Sequence, residues 1–366
     1  MKAEDQPFYK KLTFNLLSIG ILCVALIYGS DLIMPLLFAI LLATLLLPIT
    51  RFLVRKKFPK FLSIILPILL AMVVGGGIIY LLSSQIIHFM DDLPALKARF
   101  DEVGYSIQKW FRASTDMTIR KQNVYVKQAV DNLKEKAPQI AGVTVGSITG
   151  IVVYLFLVPI YTFLVLYYRG VIKKFLVKVF KNGSEENVRE ILTQSTTISQ
   201  QFVSGLMIET TIVFVLNTAG FLILGIKYAV FLALLAALLN LIPYVGMLTA
   251  NILCMVITLV TSNSTSEVLW VGAILALVQV IDNNITMPLI VGNRVRINAL
   301  ATIIGVLIGG ALCGIPGMFL AIPALAVCKV ICDRVTELKP WGELLGDSTD
   351  MEQSNGNKKK IKQVNN

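Results

Sequence analysis

Apolar residues in this chain come in long uninterrupted runs, neither alternating nor confined to a narrow stripe. No Asp, Glu, Lys or Arg interrupts residues 12–30, 32–50, 61–87, 137–168, 191–208, 210–226, 228–266, 268–281 or 297–328. A helix rises about 1.5 Å per residue, so about 20 mostly apolar residues cross the hydrocarbon core of a bilayer. Several of these runs suffice alone. The pattern predicts an all-α, polytopic integral membrane protein with about six full spans and two helical hairpins broken by Pro and Gly. Composition agrees: a hydrophobic fraction of 56% over 366 residues and a mean hydropathy of +0.76 leave too little polar surface for a water-soluble globule of this size.

The first run follows Lys10 and Lys11, as the core of a secretory signal would. No small-residue cleavage site follows it, however, and only Gly29, Ser30 and Asp31 precede a second run of similar length. Residues 12–50 therefore read as a helical hairpin kept in the mature protein. The five cysteines, Cys23, Cys254, Cys313, Cys328 and Cys332, lie in or at the ends of apolar runs and carry no disulfide or redox pattern. Cys328 and Cys332 stand one turn apart, but two thiols without a nearby His favour helix packing over metal binding. Neither a metal nor a cofactor is expected.

The chain divides into N-terminal spans (1–87), an amphipathic extracytoplasmic insert (88–136), a fourth span (137–168), a basic cytoplasmic loop with an amphipathic helix (169–206), a core (207–332) and a polar cytoplasmic tail (333–366). In the insert, Leu93, Leu96, Phe100, Val103 and Ile107 recur at helical spacing, as do Val126, Val130 and Leu133. Two amphipathic helices lying on the membrane or on a neighbouring subunit would produce this. Ser184, Glu185 and Glu186 mark a helix start, and the polar run Thr193 to Gln201 reads as a solvated or interfacial segment rather than one touching substrate.

The net charge of +11 then takes on a specific meaning. With the N-terminus inside, Lys2, Lys10, Lys11, Arg51, Arg55, Lys56, Lys57, Lys60, Arg169, Lys173, Lys174, Lys178 and the basic tail all share the cytoplasmic face, as short cytoplasmic loops require. Both termini are therefore expected in the cytoplasm. The basic excess signals topology and attraction to anionic lipid, not nucleic-acid binding.

Residues 207–332 carry the most information. Runs 228–242 and 247–262 flank Pro243, Tyr244, Val245 and Gly246, and runs 298–312 and 318–332 flank Gly314, Ile315, Pro316 and Gly317. An arm of 15 residues covers about 22 Å, short of the roughly 30 Å hydrocarbon core. Each pair reads as a hairpin with its tip at Pro243 and Gly246 or at Gly314 and Gly317. A longer span with one carboxylate precedes each hairpin, and Glu209 stands as far before Pro243 as Asp282 stands before Pro316. Charge placement opens the first hairpin outside and the second inside. Either the two units are inverted repeats, a common construction in secondary transporters, or they are ordinary hairpins with Pro-containing turns.

The segment LLNLIPYVG at 238–246, followed by IDNNITMPLIVGNRVRINALATIIGVLIGGALCGIPGMFLAIP at 281–323, resembles the two signature regions of the autoinducer-2 exporter-like (AI-2E) transporter family. The likeness extends over nearly the whole chain in layout: N-terminal hairpin, extramembrane insert after the third span, basic loop, two broken regions. Met247 departs from the Gly or Pro common after the Ile-Pro-Tyr-Val-Gly element, Asn298 and Ala299 stand where relatives have His-Pro, and Pro316 is not a usual family residue. The resemblance implies a bacterial inner-membrane protein that exports small solutes of the autoinducer-2 type, with sodium (lithium)/proton antiport as the alternative chemistry within the family.

An acid at the centre of a spanning helix costs roughly 2.5–3.5 kcal/mol on insertion scales, so Glu209 and Asp282 need partners, water or a proton. Asp282, Asn283 and Asn284 group oxygen-bearing side chains suited to a hard monovalent cation or a hydroxylated solute. Alternatively Asp282 is half of an ion pair with Arg294 at the cytoplasmic face. Glu209, among Met207, Ile208, Ile212 and Val213, is suited to carrying a proton along a route. Asn217 and Asn240 either join helices or line that route. Gly75, Gly76 and Gly77 read as close packing or a flexible point.

Other classes find little in the chain. His88 is the one histidine, and His-Glu-x-x-His, Gly-x-Ser-x-Gly and Gly-x-x-x-x-Gly-Lys-Ser/Thr are all missing, so neither an intramembrane hydrolase nor an ATP-driven pump can be assembled from recognisable parts. A non-transporting scaffold using the 88–136 insert as its interaction surface is the remaining alternative. The expected partners are lipid, a small solute with a monovalent cation or a proton, and further copies of the chain in a homo-oligomer.

Overall fold

A computed structural model describes residues 8–91, 153–180, 185–242, 245–262, 264–290 and 297–346. Most of the 88–136 insert, the tip residue Pro243, Ser184, Arg294, Arg296 and the tail beyond residue 346 lie outside the described residues. Within them the chain is helical, without strands. The long apolar runs become α1 (Phe8–Tyr28), α2 (Ser30–Arg55), α3 (Lys60–Asp91), α4 (Val153–Val179) and α5 (Glu185–Ile223). They are followed by α6 (Ala229–Leu239), α7 (Val245–Thr261), α8 (Thr265–Ile281), α9 (Ala299–Arg334) and the short α10 (Lys339–Leu345).

Among the described residues, six helical stretches are long and apolar enough to cross a membrane: α2, α3, α4, α5, α8 with its continuation to Ile290, and α9. The last of these is not one rod. Its backbone leaves helical geometry at Cys313 and Gly314, the latter with φ +62° and ψ −149°, and the chain doubles back. A positive φ of this kind is open to glycine at no steric cost. Pro316 then falls in the first turn of the returning arm, where its missing N–H is harmless. Antiparallel pairing of arms 299–312 and 315–334 is visible in what faces what: Gly305 meets Leu325, Gly310 meets Met318, and Gly309 and Gly317 approach so closely that a Cβ on either would collide with the other's carbonyl.

α6 and α7 form the other hairpin. Cys254 of α7 lies 3.6 Å from the Leu232 carbonyl of α6, and a Cβ on Gly246 would overlap the Leu239 carbonyl, so here too the arms touch backbone to backbone near the tip. Small residues make this contact possible: Ala233, Ala236, Ala237 and Ala250 are buried between the arms and their neighbours.

α5 is the axis around which the rest is packed, touching α2, α6, α8 and α9. Its buried face repeats every four residues through Gly205, Glu209, Val213, Asn217 and Phe221. The polar stretch that opens α5 stays helical because its hydroxyls bond back along the helix, Thr193 to Arg189, Thr196 to Leu192 and Thr197 to Thr193 carbonyls at 2.7–2.9 Å. At that end Arg334, the last residue of α9, makes a two-pronged ion pair with Glu190 at 2.7 Å and donates to Gln194 at 3.1 Å, tying the second hairpin to α5.

α2, α3 and α4 share a separate cluster of Ala43, Leu46, Leu47, Ile64, Ile68 and Leu166. Phe38 of α2 stacks on Phe319 of α9 at 5.6 Å, which joins this scaffold to the second hairpin. α1 is divided from α2 by Gly29 alone and keeps mostly exposed apolar side chains. Among the described residues nothing comes within 4 Å of a Cβ placed on Gly75, Gly76 or Gly77. Asn298, at the position where the family carries His-Pro, caps α9 by accepting from Ala301 N–H at 2.7 Å and donates to the Leu344 carbonyl, fastening α10 beneath the hairpin.

Candidate functional site: a buried carboxyl pair

Glu209 lies mid-way along α5 on its buried face and is 6% exposed. Asp282 follows α8, is 3% exposed, and begins a π-helical turn over Asp282–Thr286 in which Met287 N–H donates to the Asp282 carbonyl. Pro288 supplies the local reason. It has no N–H to give the carbonyl one turn back and its ring crowds that carbonyl, so the helix widens ahead of it. The wide turn sends Asp282 and Thr286 inwards and leaves Asn283, Asn284 and Ile285 outside.

The two acids meet. The Asp282 carboxyl lies beside Glu209 and Asn240, close enough for its charge to act on Glu209, and Asn240 Nδ2 points at Glu209 Oε1 at 3.5 Å. Asn240 stands at the tip end of α6, so three elements converge: the axial helix, the first hairpin and the π turn. Asp282 Oδ1 has no hydrogen-bond partner. Among the described residues no Lys or Arg pairs with either acid, and Arg294, the ion-pair partner expected from sequence, lies outside them. Two carboxyl groups at this distance repel when both are charged. A shared proton or a cation between them removes the repulsion.

Asn283 is not brought to the pair: it is exposed and accepts from Gln279 Nε2 at 3.1 Å, while Asn284 donates to the Val280 carbonyl at 2.8 Å. Of the hairpin-tip residues, Gly314 makes the sharp turn of α9, Gly317 lies in the returning arm against Gly309, and Gly246 sits in the first turn of α7. Thr286, Asn251 and Gln279 belong to the surroundings of the pair without having been singled out by sequence. Asn251 and Gln279 did offer a signal, being uncharged polar residues deep in apolar runs. Thr286 offered one too, since it stands four residues after Asp282 and a helix puts that spacing on one face.

Two acids and one carboxamide are thus held together between the axial helix, the first hairpin and the π turn. A family profile described as "AI-2E family transporter" matches residues 16–337. The chain belongs to the AI-2E transporter family. The AI-2E relatives include YueF of Bacillus subtilis (strain 168), 26% identical with 86% of each chain covered. A Mycobacterium tuberculosis (strain CDC 1551 / Oshkosh) protein, MT0215, is 26% identical over 87% of each chain. PerM of Escherichia coli (strain K12) is 24% identical, covering 83% of this chain and 87% of its own. The first two are named as candidate transport proteins and the third as a candidate permease. This chain is thus a multi-pass membrane protein of a bacterial transporter family.

Proposed function

We propose that this AI-2E protein is an ATP-independent transporter of the bacterial cytoplasmic membrane in which Glu209 and Asp282 together form the coupling centre. The pair holds a proton in one state and a monovalent cation in the other, which is sodium (lithium)/proton antiport. The observation carrying this reading is the contact between two buried acids with no basic partner among the described residues. Each acid comes from one of the two span-plus-hairpin units, so relative movement of the units would open and close the pair. Export of a small solute of the autoinducer-2 type is the second reading, and the family profile favours it.

Purified protein in liposomes under imposed sodium, lithium or proton gradients tests both, with autoinducer-2 as a solute in the same vesicles. Flux is expected to vary with pH. Glu209→Gln flattens that dependence and removes coupling to the proton gradient, whereas Glu209→Asp keeps an ionisable group at shorter reach and retains part of the flux. A Gln variant with the wild-type rate and pH profile removes Glu209 from the route.

The orientation in this proposal places both termini in the cytoplasm, on the charge asymmetry of the loops. In a cysteine-free background, Lys121→Cys is expected to react with an impermeant thiol reagent from outside. Lys56→Cys and Lys174→Cys are expected to react only after the membrane is opened. The reverse labelling would swap the sides of both hairpins.

A further inference from the structure

Glu209, Val213 and Asn217 follow one another at four-residue spacing on the buried face of α5, so Asn217 stands two turns from the carboxyl pair on the same stripe. It is 2% exposed, and its Oδ1 has no hydrogen-bond partner. Buried amide oxygens are almost always satisfied, and an orphan needs an occupant that the protein itself does not provide. Asn217 opens onto a small cavity between α5, both arms of the first hairpin and α8. The other polar groups in its wall are Asn240, Asn251 and Gln279, with Val213 and Leu275 closing it. The space has room for a single water-sized occupant.

We propose that this carboxamide chamber is a binding site for one dehydrated monovalent cation, sodium or lithium, adjoining the carboxyl pair. Hard cations take oxygen ligands, and amide oxygens can replace a hydration shell as carbonyl oxygens do in ion-selective pores. Uncharged ligands suit a single positive charge, since a divalent ion would call for carboxylates in direct contact. An anion is disfavoured by the two acids one step away. A neutral hydroxylated solute exceeds the available space. Asn240 belongs to both places, lining the chamber and contacting Glu209 and Asp282, so an ion leaving the chamber meets the pair next. The inference rests on the proposed proton–cation exchange at that pair, for which the chamber would be the selecting site.

The test is equilibrium binding of radioactive sodium to the purified full chain, with lithium, potassium and calcium as competitors, alongside the flux assay. Asn217→Leu and Asn251→Leu, which keep the branched shape and the number of heavy atoms, are expected to weaken sodium binding about tenfold or more and to alter the lithium-to-sodium ratio, because each removes an oxygen ligand to a charged ion. Asn217→Asp keeps the size and adds a charge, so it is expected to bind sodium more tightly and to admit calcium, a gain that a misfolded protein could not show. Glu209→Gln is expected to keep measurable sodium binding while losing its pH dependence. If the Leu and Asp variants all retain the wild-type affinity and ion preference, or if the wild-type chain binds no sodium, the chamber holds only water and the inference is overturned. Loss of proton coupling in Glu209→Gln would leave the carboxyl-pair reading standing in that event. Sodium binding that responds to Asn217 in a protein whose flux ignores proton gradients would support the chamber and sink the exchange reading instead.

Discussion

Asp282→Asn is expected to reduce flux to the level of protein-free vesicles while the protein still inserts and purifies in its normal assembly. The substitution keeps the size of the side chain and a hydrogen-bonding oxygen for its neighbours, so the packing around the π turn survives. It removes one of the two groups that can release a proton and hold a cation. Asp282 has an unpartnered Oδ1 and no cationic partner among the described residues, which fits a site left open for an occupant better than a satisfied ion pair. Flux and size-exclusion profiles, measured together, check it. If the Asn variant fails to insert, and Arg294→Gln added to it restores the protein, the acid is half of a structural pair and the route runs elsewhere.

Gly317→Val is expected to prevent the second hairpin from forming. A Cβ at Gly317 collides with the Gly309 carbonyl and with Cys313, and the obstacle is mostly backbone, which cannot rotate away. Overpacking of this kind costs about 3 kcal/mol or more, a large share of the roughly 5–15 kcal/mol that holds an average domain folded. The variant should therefore be lost as aggregate or degraded protein. Gly310→Ala is the informative contrast, because the new methyl meets the far end of the flexible Met318 side chain. Thermal unfolding in detergent should show Gly310→Ala close to the parent protein. Equal tolerance of both substitutions would mean that the arms do not pack as tightly as Gly309 and Gly317 indicate.

The membrane class was legible because bilayer thickness is a length constraint, and length is written directly in uncharged runs such as 32–50 and 61–87. Both hairpins were legible for a related reason. Gly314 and its neighbours interrupt runs otherwise long enough to span, and the φ +62°, ψ −149° backbone at Gly314 is one that glycine alone adopts readily. Glu209 and Asp282 stood out because ionisable groups inside apolar helices are costly and therefore informative.

Their meeting was not legible. Contact between residues so far apart in sequence depends on how α5, the first hairpin and the end of α8 pack, and no local pattern encodes that. Sequence placed Asp282 with Asn283 and Asn284 as one oxygen cluster, since neighbours in sequence look like neighbours in space. The π turn separates them, rotating Asp282 inwards to Glu209 and Asn240 and leaving the two asparagines outside. Thr286, four residues on, shares the inner face with Asp282. What the sequence determined by itself, then, is set by local chain chemistry: helix length, where the chain must turn, and which buried acids are too costly to be incidental. Tertiary structure decided which of those groups share a site, because side-chain direction around a widened turn and the register of packed helices are properties of the assembled bundle.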